Sequence, residues 1–489
     1  MTGPDANEAI DAQALRRAFA LLPALVAPLL ALHLVPGDDA LRHVAIAFLG
    51  GRRWGDVYPF SEFARFPDYD PWWGYDAALR ALHAVVVPLP IDRLAAQFLV
   101  LKLLSALLVG VALWLMARRS RIGAAIVDPR TFLLAVVVTA LALAMPLQRM
   151  ASARPFVFGT LFLVYAVGRT GAVHGFLAAA LLTALYPYLA WIYLLAAAAA
   201  HLWRGSRAFA LGAIAAALAG AAFRPADFAG FVTALAHSGA VRAEVAAAFR
   251  ITELTPLWQH PYTVALAVLA AWWLVPRLPG NARGLRTEHV MALCFLPVSA
   301  LFARYFVDVV IPLLFVAHAA DAVGAAQAPV ARIAARLRGG ASDAGTATAT
   351  SSRRSLLLSA LLVVALAAVV GALGVRSLHQ HEHLARVADN LAPIPRGSLV
   401  LTQFNLQYRI LYARPDLSLV PSSELGFPLP EIHDAYVAYV AHGRACALAR
   451  RIGAAYLVDT PSHRLDTGDR ACLHPLRAVG DLRLWRVAP

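Results

Sequence analysis

The stretch Pro36-Gly37-Asp38-Asp39-Ala40-Leu41-Arg42-His43 follows directly after the first long apolar run of the chain, at residues 18–35. Two adjacent carboxylates, an arginine and a histidine therefore stand where a hydrophobic helix would leave a membrane. The polar segment that they open extends to about residue 96 and is the longest break between apolar runs before the C-terminal tail. Because Asp is a preferred helix cap, the pair is also suited to starting a helix at Ala40. The stretch predicts a membrane edge with a capping role, a chemical role, or both.

The composition of the whole chain supports this membrane setting. The 489 residues are 60% hydrophobic and 15% charged, and the mean hydropathy is +0.63. Soluble domains are about half apolar and a quarter charged, so these values predict a polytopic α-helical membrane protein. We expect about eleven transmembrane helices. Their apolar runs lie at 18–35, 97–116, 131–147, 156–168, 173–187, 188–203, 208–222, 261–275, 290–303, 305–322 and 355–375.

The charge pattern predicts the orientation of these helices. The formal net charge is +14, but the basic residues are dispersed over short loops, which favours topology and anionic headgroups over nucleic acid as the explanation. Arginine-rich loops alternate onto one face, which we interpret as the cytoplasm. The chain is then expected to have a cytoplasmic N-terminus and a first outer loop at residues 36–96.

The chain divides into two regions by composition. Residues 1–375 are expected to form the transmembrane module, including a cytoplasmic linker at 323–354, and residues 376–489 read as a soluble domain. Strands are predicted at 398–404, 417–420, 454–459 and 482–487, with one helix at 431–452, which indicates a small α/β periplasmic domain with a partly parallel sheet. Cys446 and Cys472 both fall in this domain and could pair if it lies outside the cytoplasm. Cys294 lies in an apolar run and is expected in the core.

Asp38 and Asp39 permit two kinds of chemistry at the membrane edge. A carboxylate where lipid, water and protein meet can be partly desolvated, which suits it to accept a proton from a hydroxyl group. Alternatively, the adjacent pair could hold a divalent cation such as Mg²⁺ or Mn²⁺ that neutralises a phosphate leaving group. The residues by themselves leave both alternatives open.

The layout also resembles a known superfamily. The Asp38-Asp39-Ala40-Leu41-Arg42-His43 element is followed by Arg65-Phe66-Pro67-Asp68-Tyr69-Asp70-Pro71-Trp72-Trp73-Gly74-Tyr75, and together they are similar to the first loop of oligosaccharyltransferase catalytic subunits. A first span, an acidic pair, many further spans and an outer C-terminal domain resemble the GT-C superfamily of membrane glycosyltransferases. The Trp-Trp-Asp-Tyr-type motif of oligosaccharyltransferases has no match after residue 375. The resemblance therefore implies the superfamily's chemistry without transfer to peptide asparagine.

In that chemistry, the chain would be an inverting glycosyltransferase that moves a sugar from a polyprenyl-phosphate-linked donor to an acceptor on the outer side. Asp39, or else Asp38, would be the general base or the metal ligand. Arginine is suited to the donor phosphate because its fork offers paired donors. Aromatic rings beside carboxylates suit sugar recognition. The expected phosphate-binding residues are Arg42, Arg149, Arg154, Arg304 and Lys102, and the expected substrate-binding residues are His43, Asp70, Trp72, Trp73 and Tyr75.

Lys102 is the only lysine in the chain and lies inside the second apolar run. An ionisable group at that depth is often functional, so it could pair with Asp38 or Asp39 or meet the donor phosphate. The position of Lys102 is explained equally well if its side chain extends back to the outer membrane interface.

Two other functions are alternatives to glycosyl transfer. The first is a transporter or flippase for a lipid-linked or small substrate, which the missing internal repeats and the few charges within the spans disfavour. The second is a member of the superfamily that has lost catalysis and acts as a scaffold in the cell envelope. In each case the partners include membrane lipids and exclude nucleic acid.

Overall fold

The apolar runs of the sequence form helices, because a backbone in an apolar environment has to satisfy its polar groups internally. The computed structural model describes residues 6–34, 38–48, 52–65, 70–226, 258, 263–265, 267–268, 271, 284–338, 351–403, 405–420 and 428–488. The helices before the C-terminal sheet are α1 (Ala6–His33), α2 (Asp38–Phe48), α3 (Trp54–Val57), α4 (Glu62–Arg65), α5 (Trp73–Val86), α6 (Arg93–Ser120), α7 (Pro129–Ala151), α8 (Val157–Ala166), α9 (Ala172–Leu185), α10 (Pro187–Trp203), α11 (Arg207–Phe223), α12 (Thr287–Leu301), α13 (Ile311–Arg338) and α14 (Ser351–Asn390).

Four helical segments of the described chain are long and apolar enough to cross a membrane. They are Ala12–His33, Arg93–Ser120, Pro129–Ala151 and Ala303–Gln327. Five further apolar helices have 10 to 17 residues. The shortest, α8, has 10 residues and is about 15 Å long, about half the hydrocarbon thickness of a bilayer. The mainly helical class of the fold is therefore confirmed. The predicted run at 261–275 lies largely outside the described residues.

Two predicted boundaries fall inside helices. Helix α13 continues to Arg338, so residues 323–338 of the predicted linker are helical, and residues 339–350 lie outside the described part. Helix α14 continues past residue 375 to Asn390, so the predicted division between the two regions lies within one helix. The transmembrane module and the C-terminal region thus share a continuous helix.

The C-terminal region contains a five-stranded sheet. Its strands are β1 (Leu399–Thr402), β2 (Ser418–Val420), β3 (Tyr456–Asp459), β4 (Leu473–Val479) and β5 (Leu482–Val487), in the order β2-β1-β3-β5-β4. Strand β1 pairs in parallel with β2 and β3, whereas β5 pairs antiparallel with β3 and β4. The partly parallel sheet and four of its strands agree with the prediction. Strand β4, which was not predicted, forms a hairpin with β5 through Gly480, whose φ is +62°.

The helices that flank the sheet are α15 (Gln407–Ala413), α16 (His433–His442) and α17 (Ala445–Ile452). A single helix was predicted at 431–452, but it is divided by Gly443, whose φ of +72° ends α16. A disulfide joins Cys446 in α17 to Cys472 next to β4, with a Cα–Cα distance of 6.3 Å. Cys294 is exposed on α12, so the expectation that it lies in the core was wrong.

The first loop is folded into the interior of the molecule. Every residue of α2 from 40 to 47 is buried, and α2 packs against α5 and α15. Arg52 donates to the carbonyl of Leu417 and to the hydroxyl of Ser418, both at 2.7 Å. The hydroxyl of Tyr412 donates to the carbonyl of Leu94 at 2.8 Å. These contacts hold the first loop between the apolar helices and the C-terminal sheet.

Candidate active site

Asp39 lies in the first turn of α2 and faces two arginines. Its Oδ1 is 3.1 Å from Nη2 of Arg42, and its Oδ2 is 4.0 Å from Nε of Arg154. The Asp39 side chain is 13% exposed, so it is accessible while largely shielded from water. The partial positive charge at the start of a helix further favours a carboxylate at this position. The Asp39 carboxyl group therefore lies among positively charged groups.

Arg154 is positioned by the turn that ends α7. Ala153 has a φ of +54°, the left-handed conformation in which a helix usually ends with glycine. The hydroxyl of Tyr75 donates to the carbonyl of this buried alanine. Pro155 restricts the backbone of the residue before it to extended conformations. This turn directs Arg154 towards Asp39, which no local sequence signal predicted.

Arg42 is enclosed by aromatic rings. Its guanidinium carbon lies 4.7 Å from the ring centre of Trp72, 5.5 Å from that of Trp54 and 5.4 Å from that of Tyr408. These distances are typical of cation–π contacts. We expected Arg42 to bind the donor phosphate, but its side chain is only 1% exposed. Burial shields it from a phosphate, so its contribution to the site is to hold Asp39.

His43 forms a buried pair with Asp76. His43 Nδ1 lies 2.7 Å from Asp76 Oδ1, and the imidazole is surrounded by the rings of Trp54, Trp72 and Tyr75. Burial lowers the pKa of His43 and raises the pKa of Asp76, so the uncharged forms of both are favoured. The His43–Asp76 pair and these three rings form a buried cluster close to Asp39.

Three residues that were expected to contact substrate therefore belong to this buried cluster. His43, Trp72 and Tyr75 are all buried, because α2 and α5 pack face to face. Asp76, which was not among the predicted site residues, is the hydrogen-bond partner of His43. Its role depends on the packing of two helices that are distant in sequence.

Asp70 and Trp73, also expected to contact substrate, remain partly accessible. Asp70 Oδ1 accepts hydrogen bonds from the indole of Trp54 at 3.2 Å and from the backbone of Trp72 at 3.0 Å. Burial, with a further contribution from Asp76, raises the pKa of Asp70 to about 7. A carboxyl with such a pKa can exchange a proton near neutral pH. Trp73 lies beneath the guanidinium of Arg224, whose carbon is 5.3 Å from the ring centre.

Arg149 and Arg304 form a second basic group beside a π-helical segment, Phe306–Val310. Arg149 pairs with Asp308, and both arginines lie within electrostatic reach of the buried Tyr193. The side chain of Arg149 is 22% exposed and that of Arg154 is 17% exposed. Arg149 and Arg154 both lie near the C-terminal end of α7. Single-turn π-segments are frequent at functional sites.

In the described chain, Lys102 binds backbone carbonyls at the C-terminal end of α1. Its Nζ donates to the carbonyls of Ala31 at 2.8 Å and Leu34 at 2.7 Å, and to the side chain of Gln380 at 3.0 Å. A cation is favourable at the C-terminal end of a helix, where carbonyls have no intrahelical partner. We expected Lys102 to pair with Asp38 or Asp39 or to meet the phosphate. It instead caps α1 and ties it to α14.

The surroundings of Asp39 do not favour a divalent cation. The side chain of Asp38 lies outside the described part of the chain, and Asp39 faces two guanidinium groups that would repel a cation. Among the residues searched, no group of three or more His, Cys, Asp or Glu side chains could hold a metal ion.

Arg224 is, besides Asp76, a residue near the site that sequence reasoning missed. It follows an apolar run and precedes Pro225, a pattern that mirrors Arg154-Pro155 before another apolar run, and this signal could have identified it. Together the described groups offer a carboxyl group between two arginines, a partly accessible arginine and a second carboxyl with a pKa of about 7. No protein-family model and no curated protein matches the chain.

Proposed function

We propose that this protein is an integral membrane glycosyltransferase. It would move a sugar from a polyprenyl-phosphate-linked donor to an acceptor on the outer side of a bacterial inner membrane. The observation that carries the proposal is Asp39, held between Arg42 and Arg154 at the start of α2. An anionic acceptor of protons beside an accessible arginine is what the transfer of a sugar from a phosphate requires.

In the proposed reaction, the hydroxyl oxygen of the acceptor forms a bond to the anomeric carbon of the sugar. The bond between that carbon and the phosphate oxygen breaks, and the phosphate keeps the electron pair. Asp39 takes the proton of the acceptor hydroxyl. Arg154, with Arg149 and Arg304, stabilises the charge that develops on the phosphate. Attack opposite the leaving group inverts the anomeric configuration.

The proposal includes an orientation in the membrane. In this orientation, the chain has about eleven spans, a cytoplasmic N-terminus and a C-terminal region on the periplasmic side. This is the layout that the resemblance to the GT-C superfamily implies. The disulfide between Cys446 and Cys472 supports this orientation, because disulfides persist in oxidising compartments. The contacts of Arg52 with Leu417 and Ser418 support a first loop on the same side as that region.

The test is the replacement Asp39→Asn, assayed in purified membranes with radiolabelled polyprenyl-phosphate sugars. We expect sugar transfer to fall by about 10²- to 10⁴-fold, the usual contribution of a general base. Asn has nearly the same shape but removes the charge that faces the buried guanidinium of Arg42, so the unfolding temperature of the variant is measured together with its transfer rate. The matched control is Asp434→Asn, the same replacement at an exposed position in α16, which should transfer sugar at the wild-type rate.

Two results would contradict the proposal. Undiminished transfer by Asp39→Asn would remove the base assignment, and a loss in Asp38→Asn alone would move it to the neighbouring carboxylate. If the wild-type protein consumes no lipid-linked sugar while it carries a solute across vesicles, it is a transporter.

A further inference from the structure

Two arginines contact the same aromatic ring near the C-terminal end of α6. The guanidinium carbon of Arg119 lies 5.8 Å from the ring centre of Tyr165, and that of Arg169 lies 5.2 Å from it. Arg119 is in the last turn of α6, and Arg169 follows α8, whose last turn carries Tyr165. Arg118, the neighbour of Arg119, completes a group of three that we call the arginine cluster.

The turn after α8 brings Arg169 to Arg119. Nη2 of Arg119 donates to the carbonyl of Tyr165 at 3.0 Å. Gly168 has a φ of +72°, and a Cβ added there would lie 3.5 Å from Nη1 of Arg119. The backbone N–H of Arg169 donates to the carbonyl of Ala166 at 3.1 Å, which closes the turn. The backbone thus packs against one guanidinium group and presents the second one beside it.

The positive charge of the arginine cluster is not neutralised within the described part of the chain. Arg118 and Arg169 lie within electrostatic reach of Arg119, and like charges repel. No described Asp or Glu side chain forms an ion pair with any of the three. The Nε atoms of Arg119 and Arg169 are buried, and neither donates a hydrogen bond to a described residue. Because a buried donor without an acceptor is unfavourable, an anion bound here would supply the acceptor and offset the repulsion.

The arginine cluster lies where an exposed apolar face of α6 ends. The exposed apolar side chains of this face recur at helical spacing, and Arg118 continues the series; they are Leu103, Leu107, Val111 and Trp114. The guanidinium carbon of Arg118 is 5.3 Å from the ring centre of Trp114. Tryptophan and arginine at the end of an apolar helix face are typical of the headgroup region of a membrane.

This position is distant from the candidate active site. Arg119 lies about 26 Å along α6 from Lys102, at 1.5 Å per residue. Lys102 binds the end of α1, from which the chain continues to Asp39. In the proposed orientation, the arginine cluster therefore faces the cytoplasmic leaflet, and any ligand there differs from the substrates of the outer face.

We propose that the arginine cluster binds a phosphate group, which the headgroup of an anionic membrane lipid supplies. The planar fork of arginine offers paired N–H donors that match phosphate oxygens. Basic pockets between transmembrane helices bind anionic headgroups in this way. Arginines that only set the topology need to lie in a loop, and the half-burial of Arg119 and Arg169 against one ring exceeds that requirement.

The affinity for an anionic lipid tests the arginine cluster directly. The full-length protein in detergent is titrated with dioleoyl phosphatidylglycerol, and native mass spectrometry gives the dissociation constant of the first bound lipid. We expect Arg169→Gln to weaken binding by about tenfold or more, as for the loss of a charged hydrogen-bond donor. Arg169→Lys keeps the charge without the fork and should also bind more weakly than the wild type. Arg207→Gln, which removes an exposed arginine at the start of α11, should leave the dissociation constant unchanged.

Thermal unfolding separates a binding role of Arg169 from a structural one. In nanodiscs of phosphatidylcholine, whose headgroup has no net charge, Arg169→Gln should unfold at the wild-type temperature or above it, because it removes the repulsion with Arg119. Phosphatidylglycerol in the nanodiscs should raise the unfolding temperature of the wild type more than that of the variant. A purely structural role would lower the unfolding temperature of the variant equally in both lipid mixtures.

A further comparison identifies the source of the phosphate. Unfolding in detergent is measured in potassium phosphate and in potassium chloride at equal ionic strength and pH. Stabilisation of the wild type by free phosphate, with none by phosphatidylglycerol, would contradict a lipid as the ligand. The inference is overturned if Arg169→Gln binds phosphatidylglycerol like the wild type, or if Arg207→Gln weakens binding as much as Arg169→Gln does. These measurements do not depend on sugar transfer, so they leave the proposed function to its own test.

Discussion

Among single residues, Asp70 shows how the fold changes the chemistry of an ordinary side chain. A free aspartate has a pKa of 3.8, and burial of Asp70 beside Asp76 raises its pKa to about 7. The hydrogen bonds from Trp54 and Trp72 oppose this shift without cancelling it. Between these two pKa values, Asp70 therefore keeps its proton in the folded state and loses it in the unfolded chain.

This shift predicts how stability depends on pH. Between the ordinary value of 3.8 and about 7, the folded protein holds a proton on Asp70 that the unfolded chain has lost. Raising the pH through that interval therefore lowers the free energy of unfolding, by at most about 1.4 kcal/mol per pH unit. Buried His43, whose pKa is lowered, acts in the opposite direction, so the contribution of Asp70 is the difference between two proteins. Between about pH 5 and about pH 7, we expect the unfolding temperature of the wild type to fall relative to that of Asp70→Asn.

Thermal unfolding in detergent at a series of pH values measures both proteins. Asp434→Asn, which alters an exposed carboxyl, should keep the wild-type slope. Asp76, whose pKa is also raised by burial, is retained in both proteins, so the difference between them isolates Asp70. Identical slopes for the wild type and Asp70→Asn would show that Asp70 ionises as it does in the unfolded chain.

At the scale of elements, α9 and α11 meet through two glycines. A Cβ added at Gly212 would collide with the carbonyl oxygen of Ala172, and one added at Gly175 would collide with that of Phe209. A backbone carbonyl cannot move aside without shifting its helix. Gly220 lies on α11, like Gly212. The atom nearest to a Cβ added at Gly220 is the hydroxyl oxygen of Thr183, at 3.4 Å.

Gly212→Ala should therefore destabilise the protein, by about 1–3 kcal/mol for overpacking, and lower its unfolding temperature. Gly220→Ala should leave the unfolding temperature unchanged or raise it, because alanine is the better helix former by about 1 kcal/mol. Both are measured by thermal unfolding of the purified protein. Equal behaviour of the two variants would mean that the close crossing of α9 and α11 does not contribute to stability.

At the scale of the whole molecule, the C-terminal sheet and the first loop form one structural unit. Tyr408 of α15 contributes to the ring cage around Arg42, and Arg52 of the first loop binds the backbone before β2. The backbone N–H of Leu429 donates to the carbonyl of Phe60 at 3.1 Å. The proposed site is thus made by both regions, which lie on the same side of the membrane in the proposed orientation.

The disulfide allows this orientation to be measured in cells. In a Cys294→Ala variant, Cys446 and Cys472 are the remaining cysteines. We expect a maleimide-linked polymer to add nothing to intact spheroplasts, and to add twice after treatment with a reductant that does not cross membranes. Labelling without reductant, or reduction only after lysis, would contradict a periplasmic C-terminal region.

The sequence by itself determined the features that depend on local composition. Long apolar runs predicted the helical class and the four helices that are long enough to cross a membrane. Short apolar runs bounded by turn residues predicted four of the five strands. The position of Asp39 at the start of α2 was also readable, because Asp is a common residue at the beginning of a helix.

Only the tertiary structure decided which charged groups meet. Arg42 and His43 had the composition of substrate-binding residues, but the packing of α2 against α5 and α15 buries both. Lys102 caps α1 because two helices place it beside free carbonyls, and Arg154 reaches Asp39 through a left-handed alanine. The physical reason is that a side chain's burial and partners depend on residues far away in the sequence, whereas its hydrophobicity does not.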